Sequence, residues 1–338
     1  MKYILPFLIL FGLIAAPGAA FAAASNAAVL WWTRVLPSLL PYLVASSLLM
    51  RSGLVERVNR RALPPFLILI GALGGYPVGA KLSGKLYQSG LLTRSDAQKA
   101  AVFSNLPNPV FLISVVASGM FSDPSVSVPL LLGVYGTALF GWIPLSHIGF
   151  SKDSKPPQSD LKQALPSAIG DGVQSILHIL GCIVFASVLG ALIEAAGLFS
   201  LFGAQQELAR AVLLGMFEMT CGSSAAAALP LSLPLRLALC AFLIQFGGLS
   251  VLLQSAAFLP LSLPRFCLIR FCTALAAAIA VYLLTPLFCP DVPVPTLASG
   301  AQMLQNSFDM LTVFLSAAFG LLLVFVFTFG LSQRKRTP

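Results

Sequence analysis

The sequence predicts an all-α polytopic membrane protein with an internal repeat, and three observations predict it. Charged residues make up 9% of the 338 and AVILMFWYC residues 58%, where an ordinary soluble domain carries about a quarter charged residues. Mean hydropathy is +0.92. The 20 basic and 11 acidic side chains, net +9, are scattered thinly between long apolar runs. That pattern excludes a soluble globular enzyme, a disordered chain and a nucleic-acid-binding patch. Finally, the two halves can be laid over each other, and helix breakers fall inside stretches of both that carry no charge other than Glu218.

A spanning helix needs roughly 20 apolar residues, and the length leaves room for about ten such segments. The first comes at once. Lys2, the apolar stretch to Ile14 and the alanine-rich run Ala19, Ala20, Phe21 and Ala22 imitate a signal peptide. Residues 3–24 are nevertheless long enough to span, and they lead into Trp31 and Trp32, aromatics suited to a membrane interface. We therefore read an N-terminal transmembrane helix over 1–27.

Charges then mark where the chain must surface. Arg51, Arg57, Arg60 and Arg61 form a basic loop, and Lys81, Lys85, Arg94 and Lys99 surround another. A polar linker over 148–165 carries Lys152, Lys155 and Lys162 and divides a first repeat (28–147) from a second (166–262). Two further spans follow over 263–338, the last being an apolar run over 308–331. The tail Arg334, Lys335, Arg336 is basic, whereas the loop over 285–305 has no Lys or Arg. The positive-inside rule puts the tail in the cytoplasm and that loop outside.

Similar segments recur in order at an offset of about 140 residues, as expected of transporter repeats. Ser38 falls on Ser175, Gly79 on Gly222, and the stretch ending at Pro109 on the stretch ending at Gly248.

The breakers are the most informative feature. Gly71, Gly74, Gly75, Pro77 and Gly79 interrupt one uncharged stretch; Asn105, Leu106, Pro107, Asn108 and Pro109 interrupt the next. In the second half Glu218 stands alone among apolar residues, followed by Thr220, Gly222, Ser223 and Ser224. The last interruption is Gln245, Phe246, Gly247, Gly248, Leu249, Ser250. Asn108 lies nine residues from Lys99, about 13 Å along a helix and so near the middle of a core roughly 30 Å thick.

Exposed peptide groups in hydrocarbon cost several kcal/mol each, so broken helices are tolerated only against protein or a water-filled cavity. Paired breaks in two repeats therefore point to a solute site where the repeats meet. The alternative is that Pro and Gly merely kink packed helices.

At these residues the sequence resembles a known family. Gly74 through Gly84, then Leu91-Leu92-Thr93, Phe103-Ser104-Asn105 and Asn108-Pro109-Val110-Phe111, are similar to the sporulation integral membrane proteins of the nucleoside-recognition (gate) superfamily. Trp31-Trp32, Leu36 to Pro41, Glu218 to Gly222 and Phe246 to Val251 fit the same family. The superfamily is in turn similar to the concentrative nucleoside transporters. The resemblance implies two inverted gate-type repeats with re-entrant hairpins and broken transmembrane helices. It implies Asn105 to Phe111 at the first hairpin's tip, Glu218 in an unwound helix that holds the solute, and Phe246 to Ser250 in its partner. It also implies transport of a small polar solute, with dipicolinate the first candidate for a sporulating cell. Cys221 departs from the pattern, standing where a polar amide is expected.

The candidate substrate-binding residues are Asn105, Asn108, Pro109, Glu218, Thr220, Ser223, Gln245, Gly247, Gly248, Ser250 and Lys81. Glu218, the lone acidic group in its span, can hydrogen-bond a solute, carry a coupling proton, or simply cap a broken helix as a neutral acid. Lys81 and Lys85 share a helical face; Lys81 either attracts a carboxylate or anchors the helix at the interface. His178 lacks a second ligand at metal spacing and reads as a packed residue, and His147 as interfacial. The six cysteines form no CxxC pair and read as small hydrophobes. No metal or cofactor is expected; a coupling Na+ or H+ is left open.

Without a Walker loop, HExxH or GxSxG the chain is not expected to be an enzyme. The expectation is a secondary transporter (permease) in the bacterial cell membrane that moves a small organic anion by alternating access. A nucleoside-type solute and a non-transporting scaffold for spore formation are the alternatives. Its partners would be the lipid bilayer and the solute, with a homo-oligomer possible and no nucleic acid.

Overall fold

The computed structural model describes residues 4–52, 58, 62–140, 161–260 and 262–289. Arg57, Arg60 and Arg61, His147, Lys152 and Lys155, the side chain of Lys162, the run over 308–331 and the basic tail lie outside the described residues. Among those described the protein is all helical, with no β-strand, and it is a polytopic membrane protein. Among the described residues four helices are long and apolar enough to cross a membrane.

α1 (Ile4–Ala15) and α2 (Pro17–Leu30) meet at Ala16, whose backbone leaves the helical region at φ −132°. The span read over 3–24 is thus divided, because Pro17 offers no N–H to continue the first helix and opens the second instead. α2 then runs on through a π-helical turn, Trp31–Val35, into α3 (Leu36–Arg51), making one 35-residue rod. The indole N–H of Trp31 donates to the Ile176 carbonyl at 3.0 Å. The aromatic read as an interface marker is buried against the other half of the chain.

Next come α4 (Leu63–Gly74), α5 (Val78–Gln88) and α6 (Arg94–Ser104), then a π-helical segment, Phe111–Met120, a 3-10 turn, Pro124–Val126, and α7 (Ser127–Leu139). The second half has the long α8 (Leu161–Ala195), α9 (Gln206–Phe217), α10 (Met219–Ala227), α11 (Leu233–Phe246), α12 (Gly248–Ala256) and α13 (Leu263–Phe288). The order repeats: a long helix, two short helices joined at a sharp break, two more joined at a second break, then a closing helix. Local chemistry sets many of the starts. Prolines occupy the first turns of α4, α11 and α13, and the Thr93 hydroxyl caps α6 by accepting from the Asp96 N–H.

The chain folds back on itself at the first break of each half. Gly71 and Gly79 both press on the Ser104 carbonyl, although eight residues of straight helix would hold them about 12 Å apart. In the second half Gly222 lies directly on the backbone of Gly215. These are helical hairpins, with tips at residues 75–77 and at Glu218. By contrast α6 does not pack beside the segment after its break, nor α11 beside α12, so those are interrupted helices. The tip that the resemblance puts at Asn105 to Phe111 therefore lies about 30 residues earlier, where Gly75, at φ +72°, supplies a turn that a side chain would resist.

The stretch Leu233–Ala256 runs through the centre: 83% of its apolar window is buried, against 22–33% for the other three spans. α13 packs along α11 and α7, and α8 along α2 and α3. Large apolar side chains such as Ile14, Phe21, Leu283 and Leu287 stay exposed on the outer helices, as a lipid-facing surface requires.

Candidate functional site

All four breaks converge on one cleft. It is lined by Val35, Ser38 and Leu39 of the first rod, Ile179 and Ile183 of α8, and residues at the breaks: Tyr76, Pro107, Asn108, Phe111, Glu218, Met219, Thr220, Ser250, Val251 and Gln254. It holds about 490 Å³ of empty space, its open mouth included. The break residues share a property. Tyr76 precedes α5, Asn108 and Phe111 open the π-helical segment, Glu218 to Thr220 open α10, and Ser250 and Val251 stand in the first turn of α12. Helix N-termini carry partial positive charge, so four such ends stand around one small space, two of them with an N–H already taken by their own Glu218 or Asn108 side chain.

Glu218 is 1% exposed and is the N-cap of α10: its Oε2 accepts from the Cys221 N–H at 2.8 Å, and extended backbone at φ −144° turns the hairpin. It is the single carboxylate among the described residues that line the cleft. Asn108 acts mainly as a fastener. Its Nδ2 donates to the Leu73 carbonyl at 2.5 Å and its Oδ1 accepts from the Val110 N–H at 2.7 Å, tying the first hairpin to the second break. Gln254 is 3% exposed, and its Oε1 has no partner among the described residues. A buried acceptor left so costs about 1–3 kcal/mol, and this one sits at the cleft wall, where a solute can meet it.

The structure brings Asn108, Glu218, Thr220 and Ser250 together around the cleft. Asn105, Pro109, Ser223, Gln245, Gly247 and Gly248 stand behind it. Asn105 Nδ2 donates to the Ser255 hydroxyl at 2.9 Å, while Asn105 Oδ1, Gln245 Oε1 and Ser223 Oγ are buried without a partner among the described residues. Gly247 and Gly248 adopt φ +84° and +64°, which lets α11 end and α12 restart against the Gly215 and Met216 carbonyls.

Lys81 does not line the cleft. Its ammonium donates to the Ser175 hydroxyl at 2.9 Å and stands 5.9 Å from the Phe258 ring centre, on the flank between α5 and α8. Beside it Asp171 pairs with Arg51 at 2.8 Å and accepts from Ser47 at 2.5 Å. His178 lies edge-on to Phe258, and no group of three His, Cys, Asp or Glu among the described residues is placed to hold a metal.

Sequence reasoning missed Gln254 and, above all, Arg270. The latter is 1% exposed in α13, with its guanidinium at the two interrupted helices. The signal was available: an arginine flanked by Cys267, Leu268, Ile269 and Phe271 inside an apolar span is a functional candidate by default.

No family model matches the chain, and no solved structure matches it. It is 28% identical over 321 residues to the sporulation integral membrane protein YlbJ of Bacillus subtilis strain 168, a match covering 80% of this chain and 79% of that protein. The chain is thus a multi-pass membrane protein similar, over most of both lengths, to a sporulation membrane protein.

Proposed function

We propose that the chain is a secondary transporter in the cell membrane of a spore-forming bacterium. It moves a small organic anion, dipicolinate first among candidates, by alternating access of the central cleft. The observation that carries this reading is the cleft wall: the opening turns of four half-helices around one space, with no lysine or arginine among the described residues that line it. Backbone N–H groups at such ends stabilise carboxylates without the desolvation of a buried ammonium. The likeness to a sporulation integral membrane protein supports the setting.

Glu218 supplies the coupling. An ionised carboxylate at the cleft wall repels an anion across a low-dielectric gap, whereas a protonated one donates a hydrogen bond to it. Anion and proton therefore enter together, with Thr220, Ser250 and Gln254 offering neutral polar contacts. No chemical step on the solute is involved, so the chain acts as a permease and not as an enzyme.

Uptake into proteoliposomes carrying the full chain tests this, with labelled dipicolinate and a panel of nucleosides. Dipicolinate uptake above protein-free vesicles, accelerated by an inward proton gradient, is the expected result. Uptake of a nucleoside alone overturns the anion, and uptake of neither points to a scaffold.

A further inference from the structure

Among the described residues Arg270 has no carboxylate partner; the ion pairs there are Arg51 with Asp171, Lys99 with Asp96 and Arg210 with Glu194. Its donors go to oxygens at the breaks instead. Nη1 donates to the Asn105 carbonyl at 2.7 Å, Nη2 to the Tyr76 hydroxyl at 2.8 Å and the Phe246 carbonyl at 3.3 Å, and Nε to the Phe246 carbonyl at 3.4 Å. Asn105 is the C-cap of α6 and Phe246 the last residue of α11. The guanidinium thus bridges the C-terminal ends of both interrupted helices.

Each such end carries about half an elementary negative charge, so the two together balance about one positive charge. The surroundings are rich in acceptors, for Asn105 Oδ1 and Gln245 Oε1 are buried at the same breaks without partners among the described residues. In broken-helix transporters, freed carbonyls and half-helix C-termini of this kind coordinate the coupling cation. Here a covalently attached cation already occupies them.

We propose that Arg270 is a built-in substitute for a coupling sodium ion: it holds the two interrupted helices in register, and the protein works without sodium. The inference rests on the transporter reading and deepens it. It makes Arg270 a positioning residue, which never touches the solute but fixes the breaks whose opening turns do. A monovalent ion at the same carbonyls would meet the guanidinium's own charge at contact distance, a repulsion that the low-dielectric interior magnifies.

The test compares sodium, potassium and choline chloride at equal ionic strength and pH. Two quantities are read: thermal unfolding of the purified chain in detergent, and dipicolinate uptake by proteoliposomes. The wild type should unfold at the same temperature in all three salts, since an ion that does not bind the folded state cannot stabilise it. Its uptake should agree within about twofold among them. Arg270→Gln should lower uptake about tenfold or more in every salt, and Arg270→Lys should restore it to within about threefold of wild type, because an ammonium keeps the charge and three donors.

A sodium-specific rise in wild-type unfolding temperature or uptake overturns the proposal, as does wild-type uptake by Arg270→Gln in sodium-free medium. If Arg270→Gln does not fold, the wild-type salt comparison decides alone. If the chain moves no solute, the transport reading fails while the thermal comparison still decides whether sodium has a site.

Discussion

The Tyr76 hydroxyl donates to the Ile244 carbonyl at 3.0 Å, joining the tip of the first hairpin to the interrupted helix of the second half, 168 residues away. The same oxygen accepts from Arg270 at 2.8 Å. One phenol therefore links a hairpin tip, an interrupted helix and the buried guanidinium. Because its ring also lines the cleft, the packing of the halves and the shape of the cleft are fixed by the same side chain.

Tyr76→Phe keeps the ring and removes both hydrogen bonds, leaving a guanidinium N–H without its partner oxygen. It should destabilise the folded protein by about 1–3 kcal/mol, seen as earlier thermal unfolding in detergent. Unfolding indistinguishable from wild type would mean that water replaces the hydroxyl fully.

Glu218→Gln retains the side-chain oxygen that caps α10 and loses the ionisable proton. The amount of folded protein in the membrane should change little, whereas dipicolinate uptake should fall and lose its dependence on pH. Wild-type uptake should rise as external pH falls, because anion entry calls for the carboxylate in its neutral, hydrogen-bond-donating form. Parallel pH profiles for the two proteins would leave Glu218 with the capping role alone.

Lys81→Gln tests the flank. The ammonium is bonded to Ser175 and does not line the cleft, so the substitution should cost roughly 1 kcal/mol of stability and leave the KM for dipicolinate within about threefold of wild type. A much larger rise in KM, with Lys85→Gln silent, would place Lys81 on the path of the anion.

Close backbone approach within the hairpins is tested by adding one methyl group. In Gly222→Ala the new Cβ falls on the Cα and N of Gly215, and in Gly79→Ala on the backbone of Ser104 and Asn105. Backbone cannot yield as a side chain can, so both variants should lose most of the folded protein on size-exclusion chromatography. Gly170→Ala in α8 meets nothing within 4 Å and should be neutral, or more stable by up to about 1 kcal/mol through helix propensity.

The sequence by itself determined the class of the protein and the places where its helices break. Sparse charge and long apolar runs leave only helices with internally satisfied backbones. Breakers such as Gly75, Pro107 and Gly247 act on their own backbone dihedrals, so their effect is local and legible in the order of residues. Which break folds back and which merely interrupts a helix was not legible, because that depends on Gly222 meeting Gly215 and on Gly71 and Gly79 meeting Ser104. The partners of a buried polar group were equally hidden. Lys81 and Arg270 look alike as cations in apolar surroundings, yet one is held on the flank by Ser175 and the other at the centre by the carbonyls of Asn105 and Phe246. Only the tertiary structure decided between them, since a buried charge is stabilised by oxygens that the fold brings in from distant segments.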